Sequence, residues 1–243
     1  ADYAPLEFHA TINGADTIVG ADISMSKQIA KDMGVKLQIK EMNFTALIGA
    51  LKTGKIDLIV SGMSKTPERE KEVNFSTPYL YETQVMVIRK ADKAKYKSIA
   101  DFSGKRVGAQ KQTTQEQLAK TQLPGAKVTS LDKANDVVAQ ISYNKLDAGV
   151  LASTIADSYV ARTPSLTVID PHFATDKAPT AIAVSKQSPA LLKQVNKTIS
   201  KVKGAKYKSY LQAAYKLQDQ DQGFWAKYGN YFIRGAIYTL VFA

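Results

Sequence analysis

The sequence predicts an α/β protein built as two lobes, and three observations carry that expectation. Short apolar runs with strand character alternate with segments of helical periodicity along most of the chain. The alternation comes in two successive sets, over residues 1–89 and 90–184, with no internal repeat between them. Amphipathic helical segments from Leu191 onward then return the chain towards the first set. Helices alternating with strands in this way imply largely parallel sheets covered by helices.

The elements follow in order. Ile23 to Met33 carries apolar positions at Ile23, Ile29, Ala30 and Met33 and stops at Gly34, a helix with a glycine end. Val35 to Ile39 alternates as a strand should. Phe44, Leu47, Ile48 and Leu51 share one helix face, with Gly54 just beyond. Ile56 to Val60 predicts a buried strand, and Thr66-Pro67-Glu68 predicts a helix start through a capping hydroxyl, a first-position proline and a first-turn acid. Gln84 to Arg89 predicts another strand. In the second set, strands are expected over residues 105–110, 126–130 and 148–151, and helices over 113–123, 132–145 and 153–162. Short strands at Val168-Ile169 and Ala181–Val184 precede a helix through Leu191, Val195, Ile199 and Val202 and a second from about residue 205 to 217.

Composition removes several function classes. The 243 residues contain no cysteine and only two histidines, His9 and His172. That leaves no disulfide framework, no thiolate metal site and no material for a His-rich zinc site or a His-based triad. The net charge of +11 raises nucleic acid as a partner, so its location matters. Residues 1–89 hold ten Lys/Arg against eleven Asp/Glu, residues 90–184 thirteen against nine, and residues 185–243 ten against two. The excess therefore belongs to Lys-rich helices from Lys186 to Lys216, where lysines alternate with apolar residues at helical spacing rather than with base-stacking aromatics. No nucleic-acid partner is expected. That face suits solvent or an anionic lipid or wall-polymer surface equally well. No phosphate loop, dinucleotide fingerprint, nucleophile elbow or metal-ligand spacing occurs, so no catalytic residue, cofactor or metal ligand is expected.

Two strand-to-helix junctions are the candidate binding loops. In the first, Ile56 to Glu70, a buried strand runs into Ser61-Gly62-Met63-Ser64 and then a helix. Ser61, Gly62 and Ser64 offer hydroxyls and close backbone approach, and Arg69 can deliver a bidentate fork to a carboxylate. The same residues suit a surface turn with Arg69 paired to Glu70 or Glu72. In the second, Val107 to Gln117, Thr113 and Thr114 stand at a helix start that favours an anion, although simple capping accounts for either threonine singly. Tyr3 and Phe44 could flank the aliphatic part of a ligand.

These residues also resemble a family. Tyr3-Ala4-Pro5-Leu6-Glu7-Phe8, Gly20-Ala21-Asp22-Ile23, the run from Asp57 through Arg69, and Asn74-Phe75-Ser76-Thr77-Pro78-Tyr79 look like the polar amino-acid substrate-binding proteins of ABC importers. Phe102 to Gly108, Thr113-Thr114 and Leu146-Asp147-Ala148 continue the likeness, which covers roughly residues 1–217. The resemblance implies a type II periplasmic-binding-protein fold with two crossover strands, near Val85–Lys90 and Thr180–Val184, and without the N-terminal strand of lobe 1. Lobe 1 would comprise residues 1–88 and 182–223, and lobe 2 residues 89–181. Arg69 would hold the ligand carboxylate with Ser64, the Gly62 backbone and the Thr114 backbone or hydroxyl, and Thr113 would also belong to the ligand site. Tyr3 and Phe44 would sandwich the side chain, and Ser61, Gln110 and Gln115 would meet its polar end. The family's usual acid for the ligand ammonium falls at Ala152, and Gln112 replaces the glycine expected before the threonine pair, which puts that loop's backbone in question.

The function implied is an extracytoplasmic, non-catalytic binding domain for glutamine, basic amino acids or cystine. It would deliver its ligand to an ABC permease with a separate ATPase subunit, at the outer face of the cell membrane or in the periplasm. Residues 224–243, ending in the apolar Gly235–Ala243, resemble the start of a permease's membrane-spanning segment, which would tether the domain; a strand filling the missing first-strand slot of lobe 1 is the competing expectation. A receptor's ligand-sensing domain and a cyclohexadienyl-dehydratase-like enzyme are the alternatives on the same fold.

Overall fold

Asn13-Gly14 makes the first tight turn of the chain. Both residues take positive φ, 52° and 80°, the combination that matches a two-residue turn to the twist of its strands. In the computed structural model, which describes residues 1–174 and 178–220, this turn joins β2 (Glu7–Ile12) to β3 (Ala15–Val19), and β1 (Asp2–Tyr3) pairs antiparallel to β2. The sequence reading missed this meander, although Asn-Gly between two apolar runs is its usual signal. Next, α1 (Ala21–Met33) starts after Gly20, where any Cβ would lie 2.1 Å from the Leu6 carbonyl oxygen, and ends at Gly34 in the left-handed conformation.

The smaller lobe continues with a 3-10 turn at Phe44–Ala46, α2 (Leu47–Lys52), β4 (Leu58–Ile59), α3 (Pro67–Glu72) and β5 (Asn74–Phe75). The chain then leaves through β6 (Leu80–Glu82) into the larger lobe. That lobe holds β7 (Gln84–Arg89), β8 (Arg106–Gln110), α4 (Thr114–Gln122), β9 (Lys127–Leu131), α5 (Ala134–Ser142), β10 (Ala148–Ala152), α6 (Ser153–Val160) and β11 (Leu166–Ile169). It returns through β12 (Ala178–Thr180) to β13 (Ala183–Val184), α7 (Pro189–Val202) and a helix over residues 205–220.

The larger sheet has the order β11-β7-β10-β8-β9. Its three central strands are buried on both faces: along β7, Val85 and Val87 enter one hydrophobic cluster, and Met86 and Ile88 the opposite one. In the smaller lobe β13 lies between β4 and β5. Three expectations change. The sheets are mixed: β8, β9, β10 and β11 share one direction and only β7, between β11 and β10, is reversed, while in the smaller lobe β13 runs antiparallel to both β4 and β5 and β1-β2-β3 is an antiparallel meander. Strands that arrive from the other lobe enter a sheet from the opposite end, which strand-helix alternation cannot signal. Second, the lobes are joined by the ribbon β6–β12, with Tyr81 opposite Pro179, while β7 and β13 lie inside their respective sheets. Third, residues 35–43 form no strand, and Val35 and Ile39 stay exposed. Alternation makes a strand only beside a hydrogen-bonding neighbour, and the small sheet ends at β4.

The apolar stripe of α7 buries Val195, Ile199 and Val202, while Lys193, Lys197 and Lys201 face outward with Lys206, Lys208 and Lys216 of the next helix. Residues 224–243, expected as a membrane-spanning start, lie outside the described residues. Among the described residues no helix is long and apolar enough to cross a membrane.

Two buried acids tie together segments that are distant in sequence. Asp22, fully buried in the first turn of α1, accepts from Tyr207 Oη at 2.6 Å, Tyr79 Oη at 2.9 Å and the Gly62 N–H at 2.9 Å. Glu82, at the end of β6, accepts from the Thr154 N–H of α6 at 3.1 Å. Burial is the main force on Glu82 and pushes its pKa up to about 7, with the Thr154 bonds opposing and the Asp22 and Asp157 charges adding to it.

Asp22→Ala leaves three buried donors unpaired, and we expect it to lower unfolding free energy by about 3 kcal/mol, read as a reduced urea midpoint. For Glu82 the folded pKa lies above the ordinary carboxylate value, so the folded state binds its proton more tightly. The contribution of Glu82 is therefore most favourable at acid pH and is lost as pH rises towards and through about 7. Glu82→Gln should gain stability relative to the parent between pH 5 and pH 8, by roughly 3 kcal/mol at most; a difference constant across that range would contradict the assignment.

Candidate functional site

The loop after β4 is shaped by Gly62. Its φ is 56°, and an added Cβ would stand 2.9 Å from Tyr3 Cε1 and 2.8 Å from Leu6 Cδ1, so glycine lets the Tyr3 ring lie against the loop. The Gly62 N–H, which the resemblance assigns to the ligand, is committed to Asp22. Ser61 Oγ donates to Glu7, and Ser64 lends its carbonyl to Arg69.

Arg69 lies one turn into α3, whose N-cap, Thr66, accepts the Arg69 backbone N–H at 3.3 Å. Its Nη1 donates to the Ser64 carbonyl at 2.7 Å and its Nη2 to the Gln112 carbonyl at 2.8 Å, so one guanidinium spans both lobes. The guanidinium carbon also lies 5.4 Å from the centre of the Phe44 ring. The surface-turn alternative does not hold: Glu70 pairs with Lys65 and Glu72 with Lys52. Among the described residues no carboxylate forms an ion pair with Arg69. Burial pulls its pKa below the usual arginine value, with Tyr3 and Glu68 opposing. A half-buried guanidinium without a carboxylate partner is suited to receive an anion.

The second loop comes from the larger lobe. Thr113 caps α4, accepting the Glu116 N–H at 3.2 Å and donating to the Gln110 carbonyl at 2.6 Å. Thr114 Oγ1 stands 3.4 Å from Ser64 Oγ across the gap between the lobes. Gln112 takes φ 58°, the left-handed conformation that its expected glycine would take freely. Bonds at both ends of that residue hold it: its N–H donates to Glu116 Oε2 at 2.7 Å, and its carbonyl accepts Arg69. Two amides of this loop are turned to the protein, with Gln110 Nε2 on the Asp132 carbonyl and Gln115 Nε2 on Gln84 Oε1. Ala152, at the end of β10, is buried and brings no carboxylate.

The two loops face one cavity of about 890 Å³. Tyr3, Phe44, Ser61, Gly62, Ser64, Arg69, Gln110, Thr113, Thr114 and Gln115 all line it, brought together from four separate stretches of chain. The cavity continues past these residues into the smaller lobe, between α1, residues 35–41 and β4. Two lining acids, Asp2 and Glu7, were not anticipated as site residues, because neither stands in a periodic pattern or at a helix start. Tyr159 Oη of α6 donates to the Asp2 carbonyl at 3.0 Å, a further contact between lobes.

The sequence pattern of the bacterial extracellular solute-binding proteins, family 3, matches residues 1–216. The arginine-binding extracellular protein ArtP of Bacillus subtilis is 34% identical over 205 residues, covering 83% of this chain and 78% of that protein. The ABC transporter arginine-binding protein 1 of Escherichia coli is 35% identical over 210 residues, covering 84% and 82%. Among solved structures, an amino acid ABC transporter substrate-binding protein, AbpA from Streptococcus pneumoniae, bound to L-arginine, superposes with a TM-score of 0.86 at 35% identity, covering 89% of this chain and 92% of that one.

Proposed function

The chain belongs to the bacterial extracellular solute-binding proteins, family 3, and from that premise we propose that it is the extracytoplasmic binding component of an ABC importer, holding one free amino acid between its lobes. The observation that carries this reading is Arg69, a half-buried guanidinium with no carboxylate partner among the described residues, reaching from one lobe to the other. Each of its terminal nitrogens bears a second N–H, and together they present the fork that an α-carboxylate accepts. Ser64 and Thr114 approach the same point from opposite lobes. Tyr3 and Phe44 flank the side chain. The relatives named for arginine support a polar amino acid, with arginine as the first candidate.

Closure is the mechanism that this arrangement supports. Contacts from both lobes exist only when the β6–β12 ribbon has brought them together, so a ligand bound by both stabilises the closed state by its differential affinity. The closed, loaded protein is then what a permease recognises, with ATP hydrolysed on another subunit. The relatives named above are binding proteins, and binding without turnover is the reading that we favour.

A thermal-shift screen of the common amino acids should find at least one that raises the melting temperature. At a ligand concentration near a hundred times Kd the stabilisation amounts to about 2.7 kcal/mol. Arg69→Ala should abolish that shift and, in calorimetry, cost at least about tenfold in affinity. An unchanged affinity would remove the carboxylate from Arg69.

A further inference from the structure

Gln112 holds a backbone conformation that a side chain resists, and it does so where the two lobes touch. Its φ of 58° lies in the left-handed region, and its carbonyl accepts Arg69 Nη2 from the other lobe at 2.8 Å. The residue before it is tied into the larger sheet, with the Lys111 N–H donating to the Leu131 carbonyl of β9 at 2.8 Å. The residue after it, Thr113, caps α4. Between these anchors the Gln112 N–H donates to Glu116 Oε2 at 2.7 Å.

Glu116 is held firmly enough to aim that bond. It stands in the first turn of α4, with a side chain 14% exposed. Its other oxygen, Oε1, accepts from Lys120 Nζ at 2.7 Å and from Ser130 Oγ of β9, which leaves Oε2 turned to the loop. A capping-box glutamate at this place would reach back to the N–H of the cap, Thr113. This one bonds one residue earlier, to Gln112. Glu116 does not belong to the cavity lining, so its route into the site runs through the Gln112 backbone.

We infer that Glu116 is a positioning residue for ligand binding: it holds Gln112 in the left-handed conformation, so that the Gln112 carbonyl meets Arg69 and orients the guanidinium across the gap between the lobes. The inference rests on the amino-acid-binding reading and deepens it, because it names a residue outside the cavity that sets the geometry of Arg69. Glycine at position 112 would take positive φ without steric cost and would need no such support. Positions 116 and 112 are therefore coupled, and a double-variant cycle reads the coupling.

In calorimetry with L-arginine, Glu116→Ala should cost about tenfold in affinity in the parent chain and less than about threefold in a Gln112→Gly background. An equal loss in both backgrounds would overturn the inference, since a plain capping or ion-pair role acts whatever stands at 112. So would no loss in either. Gln112→Val decides the matter should Glu116→Ala fail to fold. It changes an exposed side chain, keeps the carbonyl and Glu116, and brings a β-branched residue that positive φ disfavours. It should weaken L-arginine about tenfold, and an unchanged affinity would contradict the inference. Arg69→Ala tests the underlying reading separately: if it leaves L-arginine binding unchanged, the carboxylate reading falls, whatever Glu116 does. Should the parent bind no L-arginine, the coupling is read without ligand, from spin labels on one cysteine placed in each lobe of a chain that has none. The distance between lobes should lengthen in Glu116→Ala and return in the double variant with Gln112→Gly; a distance that Glu116→Ala leaves unchanged would overturn the inference.

Discussion

The carboxylate of Asp22 holds this structure together at the point where its parts are furthest apart in sequence. It accepts hydrogen bonds from a tyrosine before the ribbon, a tyrosine in the C-terminal helix and the backbone of the binding loop. Tyr79 and Tyr207 also meet edge to face at 4.9 Å. Taking a carboxylate out of water is costly, and three donors converging on it are what make the burial tolerable. Because one of those donors is the Gly62 N–H, the conformation of the binding loop depends on the same node. Tyr3 packs on that loop, so the aromatic wall of the cavity depends on it as well.

A second constraint runs across the gap between the lobes. Arg69 is anchored through α3 in the smaller lobe and reaches the Gln112 carbonyl in the larger one. Gln112 takes a backbone conformation that a side chain resists, held by Arg69 at its carbonyl and Glu116 at its N–H. The steric cost of that conformation falls where the two lobes meet, and one of the two compensating bonds, from Arg69 to the Gln112 carbonyl, crosses between them.

Where local chemistry decides, the sequence was legible. The Thr66-Pro67 helix start, the Gly34 helix end and the Thr113 cap all stand where residue type places them, because a cap concerns a few consecutive residues. The two strand-to-helix junctions were legible for the same reason, and the ten residues drawn from them and from the aromatic positions share one cavity. The Asn13-Gly14 hairpin was equally readable and was overlooked. The segment Val35–Ile39 shows the opposite case, a sound local pattern without a neighbouring strand to pair with.

By itself, the sequence determined the alternation of elements, their caps, the absence of thiol and histidine chemistry, and the presence of a guanidinium at a strand-to-helix junction. Each of these is a property of residue type over short spans. Tertiary structure alone decided strand direction, the position of the connecting ribbon, the burial of Asp22 and Glu82, and the contact of Arg69 with the Gln112 carbonyl. Those depend on which distant segments meet, and a carboxylate reads the same in sequence whether it faces water or three donors. Desolvation distinguishes these cases, and desolvation exists only once the chain has folded.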